Sequence, residues 1–165
     1  MDFFTNIKIT KGIDKFMDLH FEAITSINRT QAEALYLLPR QTGFIESVSE
    51  CLEEADKVKE WKPVGIYNNN NLVGFAMYGY FLEPQPLGRV WLDRFLIDSR
   101  YQGRGYGETA VIALLNRLKN EYKCNKVYLS VYDDNEVAIS LYKKIGFKFN
   151  GELDTNGEKI MIYTF

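Results

Sequence analysis

The chain has 165 residues, 46% of them hydrophobic and 25% charged, with 20 Lys plus Arg against 22 Asp plus Glu for a net charge of −2. That length and apolar content exclude a disordered or fibrous chain and suit one domain over residues 1–165. The slight acidic excess argues against a nucleic-acid binder and leaves room for a cationic substrate.

No run of 18 apolar residues is present, so no membrane span is expected. The start, Met1-Asp2-Phe3-Phe4-Thr5, lacks the basic and apolar runs of a signal peptide. Cys51 and Cys124, with His20 as the one histidine, fall short of a zinc site and read as reduced thiols of a cytoplasmic protein. No metal is expected.

Ile7 to Thr10 alternates and predicts a first strand. Gly12 to about Ile27 predicts a helix with Ile13, Phe16, Met17, Leu19 and Phe21 as its apolar positions and His20 as a structural or solvated residue. Residues 28–43, broken by Pro39 and Gly43, read as a loop with room for a helical turn. From Phe44 the residues Ile45, Val48, Cys51, Leu52, Ala55 and Val58 recur at helical spacing, with Glu46, Glu50, Glu53 and Glu54 on the other face.

Val64–Tyr67 and Leu72–Phe81 predict two strands joined by the asparagine run, since Asn tolerates the left-handed turn conformation. Arg89–Ile97 is apolar on both faces and predicts a central strand. Gly105–Tyr122 predicts a helix and Lys126–Tyr132 a strand. Asn135 caps a helix that runs to Ile145, and Gly146 ends it. Phe147–Asn150 and Lys159–Tyr163 form a closing hairpin around Asn156-Gly157. The order β-α-α-β-β-β-α-β-α-β-β predicts a single α/β domain with a mixed, mostly antiparallel sheet flanked by helices.

The strongest chemical signal is Arg100-Tyr101-Gln102-Gly103-Arg104-Gly105-Tyr106-Gly107, set between a buried strand and a helix. Successive backbone amides at a helix N-terminus, aided by the helix dipole, form an anion site, and glycine lets a phosphate approach. Arg100 and Arg104 add charge. No Gly-Lys-Ser/Thr follows, so this is not a P-loop. Glu108 stands where a dinucleotide fingerprint needs its third glycine. A plain strand-to-helix turn would need fewer glycines and no arginines.

The spacing Gln102-x-x-Gly105-x-Gly107, followed by Asn135-x-x-Ala138-x-x-x-Tyr142-x-x-x-Gly146-Phe147, resembles the GNAT N-acetyltransferases. Further runs, among them Val73-Gly74-Phe75-Ala76-Met77-Tyr78-Gly79 and Trp91-Leu92-Asp93-Arg94-Phe95, are similar to the bacterial polyamine-acetylating members of that family. The resemblance implies acetyl-CoA as cofactor, with its pyrophosphate on Gln102 to Glu108. It implies that the strand Arg89–Ile97 splays from Lys126–Tyr132, with the pantetheine arm on the backbone of Phe95, Leu96 and Ile97. It adds contacts from Asn135 and Ala138. It makes Tyr142 the general acid for the departing thiolate, where periodicity alone gives a core tyrosine.

Asp93 is a carboxylate in a central, apolar strand and reads as the amine-binding or base residue. Adjacent Arg94 is expected on the opposite face, each with a structural partner as the competing explanation. Glu46, Glu50 and Glu53 share a helix stripe and, with Glu54 and Glu83, would steer a polycation unless they are simply solvated. Tyr78, with Tyr80, is expected to wall the pocket or pack the sheet. Cys124 has no histidine to activate it. The implied activity is direct acetyl transfer to a primary amine of a polyamine, with β-strand amides holding the oxyanion. The alternatives are another amine (a protein N-terminus, an amino acid, an aminoglycoside) or a CoA-binding module without catalysis. Nucleic-acid binding through Arg100, Arg104 and lysines 119, 123 and 126 is disfavoured by the charge balance. A homodimer is compatible with the reading, and no membrane partner is expected.

Overall fold

Seven strands form one sheet in the order β1-β2-β3-β4-β5-β7-β6 in the computed structural model, which describes residues 17–165. The strands are β1 (Leu19–Ala23), β2 (Lys62–Asn68), β3 (Asn71–Phe81), β4 (Arg89–Ile97), β5 (Lys126–Val131), β6 (Lys148–Leu153) and β7 (Lys159–Thr164). Every neighbouring pair is antiparallel except β4 and β5. The expected strand at Ile7–Thr10 lies outside the described residues.

The expected helix from Gly12 to Ile27 is corrected. Its first part lies outside the described residues, and Leu19–Ala23 is the edge strand β1, paired with β2 from Leu19–Asn68 to Ala23–Val64. Leu19 and Phe21 alternate as well as they repeat helically, and a short apolar run does not distinguish the two periods. The free edge of β2 decides between them. His20 therefore lies on a strand, stacked on Tyr67 with centroids 5.4 Å apart and bonded to Glu22.

Helices α1 (Arg29–Glu33) and α2 (Val48–Lys57) cover one face of the sheet, where Ala32, Val48, Cys51 and Leu52 pack on Phe75, Met77 and Leu96. Ser47, not Phe44, starts α2, because its hydroxyl accepts from the Glu50 amide. A 3-10 turn at Pro39–Gln41 fills the rest of the ambiguous segment. The other face carries α3 (Tyr106–Tyr122) and α4 (Glu136–Ile145). There Ala110, Val111, Leu114, Leu115 and Leu118 meet Ala76, Tyr78, Val90, Leu92 and Val127.

Just past β4, the fully buried Asp98 gathers the chain. Its carboxylate accepts from the Tyr36 amide at 2.9 Å, the Arg100 amide at 2.9 Å and the Arg100 guanidinium at 2.8 and 2.9 Å. Burial raises the proton affinity of Asp98, but these bonds outweigh it and hold the carboxyl below the usual carboxylate range. The depressed value means the contribution to stability is present at neutral pH and is lost as pH falls through that value. Asp98→Asn is expected to cost about 1–2 kcal/mol at pH 7, because bonds to a buried charged acceptor are weakened while the Arg100 left behind is largely exposed. Urea midpoints of the two proteins should converge below pH 4. A gap that stays constant to pH 3 would show that the charge is not its source.

Candidate active site

The parallel pairing of β4 and β5 holds at Trp91–Tyr128 and goes no further. Beyond that pair the strands part, and a cleft of about 1310 Å³ opens between them. Trp91 and Asp93 to Ile97 line it from β4, and Ser130, Val131 and Tyr132 from the end of β5. Gln102, Gly103, Gly105, Gly107 and Glu108 close one end, and Asn135, Ala138, Leu141 and Tyr142 line a wall from α4.

Two glycines of the closing loop need their residue type. Gly103 and Gly105 sit at φ +73° and +84°, a left-handed region costly for side chains. A Cβ on Gly103 would meet nothing within 4 Å, so the backbone here faces open space. Gly105 is also the N-cap of α3, whose first-turn amides have no helical acceptors. Beneath the loop, Gln102 donates to the Ile97 carbonyl at 2.8 Å and exchanges amide bonds with Gln41 at 3.0 Å. Glu108 lines the cleft and pairs with Lys144 at 2.5 Å.

Several loop residues go elsewhere. Arg100 is spent on Asp98 and does not add charge to the loop, a correction whose cause is the buried carboxylate two residues earlier. Arg104 is exposed and does not line the cleft. Tyr106 points to the sheet's far end, where its hydroxyl accepts from Asn68 at 2.8 Å.

On α4, Asn135 accepts from the Ala138 amide at 3.3 Å, so it is the helix cap and a cleft residue at once. Tyr142 is buried against Phe147, and burial alone pushes its phenol far above the usual tyrosine range. It stays protonated at every physiological pH.

The opposite end of the cleft is acidic. Opposite Asp93 the register slips, with Met77 facing Arg94 and Tyr78 facing Leu92. Asp93 is thus the extra residue of a β-bulge, a device that re-aims side chains beside active sites. Sequence alternation puts Asp93 and Arg94 on opposite faces; the bulge turns both to the same side, and they form an ion pair. Arg94 also meets Glu46 at 2.8 Å and Glu54 at 3.5 Å. Burial pushes the Asp93 carboxyl up to about 6; Arg94 works against the rise, and Glu54 and Glu46 add to it. Glu158, carried in by the β6–β7 turn, lines the same end, and its carboxyl is raised by burial and by Asp154.

Two expected pocket residues lie elsewhere. Tyr78 is buried on the α3 side of the sheet, its hydroxyl bonded to Arg117 at 2.8 Å and Glu121 at 3.2 Å. Glu50 does not line the cleft, and its carboxylate closes a capping box on the Ser47 amide at 2.9 Å and hydroxyl at 2.7 Å. Glu158 and Gln41 were missing from the sequence reading. The hairpin at Asn156-Gly157 was the one available pointer to Glu158. Among the described residues no group of three His, Cys, Asp or Glu is placed to hold a metal ion, and no helix is long and apolar enough to cross a membrane.

A split sheet with an amide-rich helix start at one end of the cleft and carboxylates at the other goes with a family match that makes the chain an N-acetyltransferase. The chain belongs to the acetyltransferase (GNAT) family, whose model matches residues 22–147. It is 48% identical over 149 residues to the spermine/spermidine N(1)-acetyltransferase of Bacillus subtilis, covering 88% of this chain and 98% of that one. It is 30% identical over 147 residues to the mouse thialysine N-epsilon-acetyltransferase, covering 80% of each. Among solved structures, a Vibrio cholerae spermidine N-acetyltransferase in complex with CoA and spermine superposes with TM-score 0.67 at 18% identity, over 88% of this chain and 95% of that one. An aminoglycoside acetyltransferase in complex with coenzyme A gives 0.74 at 18% identity, over 88% and 94%. At such identities these two likenesses speak to the fold.

The capping box yields a test of where Glu50 acts. Ser47→Ala should lower stability by about 1 kcal/mol, the usual value of an N-cap. Glu50→Gln should leave the melting temperature nearly unchanged, since Gln also closes the box. A large loss from Glu50→Gln would mean that the carboxylate has a partner beyond Ser47.

Proposed function

We propose that this protein transfers the acetyl group of acetyl-CoA to a primary amine of a polyamine, such as spermidine, spermine or a diamine, by direct attack. The acidic end of the cleft, where Glu46, Glu54, Asp93 and Glu158 converge, carries the reading. A polycation has a charge for more than one of them, whereas a monoamine has not. The name of the Bacillus relative supports the same substrate class. A cytoplasmic location is part of the reading, supported by two free thiols, Cys51 and Cys124.

The residues fit acetyl-CoA. The unobstructed backbone at Gly103 and the free first-turn amides of α3 suit phosphate oxygens. The parted edge of β4 at Phe95, Leu96 and Ile97 suits an extended amide arm and the polarisation of a carbonyl. When bound, acetyl-CoA supplies an activated acyl carbonyl and a thiolate leaving group. Asn135 and Ala138 flank its path. Tyr142 holds a proton at Oη for the departing sulfur, and its burial keeps that proton in place. Asp93, with its carboxyl near 6, is ionised at neutral pH and accepts the proton that the amine gives up. No covalent intermediate is needed. His20, in β1, is stacked on Tyr67 of β2 and does not line the cleft, and burial pushes the Cys51 thiol up to about 12.

The test is turnover of acetyl-CoA against spermidine, spermine, diamines, monoamines, aminoglycosides and peptides. Polyamines should be preferred in kcat/KM, and Glu46→Gln should lower that value for spermidine by up to roughly fivefold, the ~1 kcal/mol ceiling of a half-exposed pair. Glu50→Gln should match the unaltered protein. Faster turnover of an aminoglycoside or peptide would overturn the polyamine assignment.

Tyr142→Phe removes the phenol and keeps the ring. Its kcat should fall about 10²-fold, with the melting temperature and CoA affinity nearly unchanged. An unchanged kcat where chemistry limits the rate would remove Tyr142 from the reaction.

A further inference from the structure

Arg94 has no part in the reaction outlined above, yet it stands among the residues that the amine must meet. Its guanidinium pairs with Asp93, lies 2.8 Å from Glu46 and 3.5 Å from Glu54, and its side chain is only 18% exposed. Glu54 is fixed from behind by the Trp61 indole N–H at 3.0 Å. The Arg94 Nε is buried without an aligned hydrogen-bond acceptor, so its contact with Glu46 is ionic rather than a saturated bond. A cleft suited to a polycation thus carries a tethered cation of its own on the same carboxylates.

Two consequences follow from the charges that face Asp93. Glu46 approaches it from the loop before α2 and Glu54 from α2, Glu158 comes in from the β6–β7 turn with Asp154 beside it, and the Cys51 thiol borders Arg94, Glu46 and Glu54. Arg94 is the cation in contact with Asp93 in this group. Without it, Asp93 would keep its proton to a higher pH, and less of it would be ionised as a base at neutrality. With it, Glu46 and Glu54 are already engaged, and a substrate ammonium gains only what exceeds their contact with Arg94.

We propose that Arg94 is a positioning and specificity residue of the amine site: it keeps Asp93 ionised, and it holds Glu46 and Glu54 until the distal ammonium of a polyamine replaces it there. The second half rests on the polyamine reading, and the first half does not.

The experiment measures kcat/KM against pH for the full chain with spermidine and with propylamine. The amine's own titration is common to all proteins compared and drops out. Arg94→Met should move the acid limb upward by roughly one unit or more, the low end of the effect of an adjacent opposite charge. Arg94→Lys should bring it most of the way back. Glu54→Gln, which keeps an acceptor for Trp61, should move it downward. Above the limb, Arg94→Met should lower KM for spermidine relative to propylamine. An unmoved limb in folded Arg94→Met, a shift of Arg94→Met and Glu54→Gln in the same direction, or equal rises of KM for both amines would overturn the proposal. Should Arg94→Met not fold, Glu54→Gln decides: a lower limb supports the assignment, and an unchanged or higher one overturns it. Should the unaltered protein take propylamine as readily as spermidine, the polyamine reading fails, and the limb measured with propylamine still decides whether Arg94 sets Asp93.

Discussion

The early end of the β4–β5 ladder is the constraint on which the site depends. Parallel strands left unpaired in mid-sheet expose backbone groups that need other partners. The two halves can part because each is held from its outer side. β4 pairs with β3 from Arg89 to Ile97, and β5 pairs with β7 along its whole length, from Lys126 to Val131. The Ile97 carbonyl, at the lip of the split, goes to the Gln102 side chain. One residue later the Asp98 amide returns to β3 at Val73, and its carboxylate ties down Tyr36 and Arg100. The glycine loop therefore starts from a pinned point, which lets a loop with two left-handed glycines hold its place against α4.

The cleft is polarised along its length. At one end stand the amides of the α3 N-terminus, with the positive end of the helix dipole. At the other end Asp93, Glu46, Glu54 and Glu158 outnumber Arg94. A ligand with an anionic end and a partner with cationic ends enter such a cleft in one orientation, and Tyr142 lies on the wall between. Orientation by opposite fields needs no moving part, since both fields come from fixed elements: a helix start, a bulge and a hairpin turn.

Much of the fold was legible because local rules and tertiary context agree. Arg89–Ile97 reads as a central strand and is one, and Asn135 and Gly146 bound α4 as caps should. The glycine loop was legible because few roles need that many glycines before a helix. The misreadings have one physical root, tertiary pairing that period alone does not contain. β1 is a strand because an edge is free beside it. Asp93 and Arg94 face the same way because a bulge breaks strict alternation. Tyr78 went to the far face through its bonds to Arg117 and Glu121, which nothing local announces. Glu50 sat at the third position after a serine, and the capping role explains it without a ligand.

Desolvation ties the two ends of the proposed chemistry together. An alkylammonium titrates near 10.4 in water and an aspartate carboxyl near 3.9, so proton transfer between them in water would be uphill by roughly 6.5 units, or about 9 kcal/mol. Burial changes both numbers in the useful direction. It raises the carboxylate, as seen at Asp93, and it lowers an ammonium brought beside it, because both charged forms lose water. Desolvation narrows the gap from each side, and the mutual attraction of the two charges works against it. Tyr142 shows the same cause with a different consequence: its phenol is driven up, so it gives its proton only to a group that has become strongly basic. A thiolate in the act of leaving a buried cleft is such a group, since burial raises thiols as it does phenols. In the proposed reaction the exclusion of water thus sets both the acid and the base, and the proposed role of Arg94 is to limit how far that exclusion raises the base.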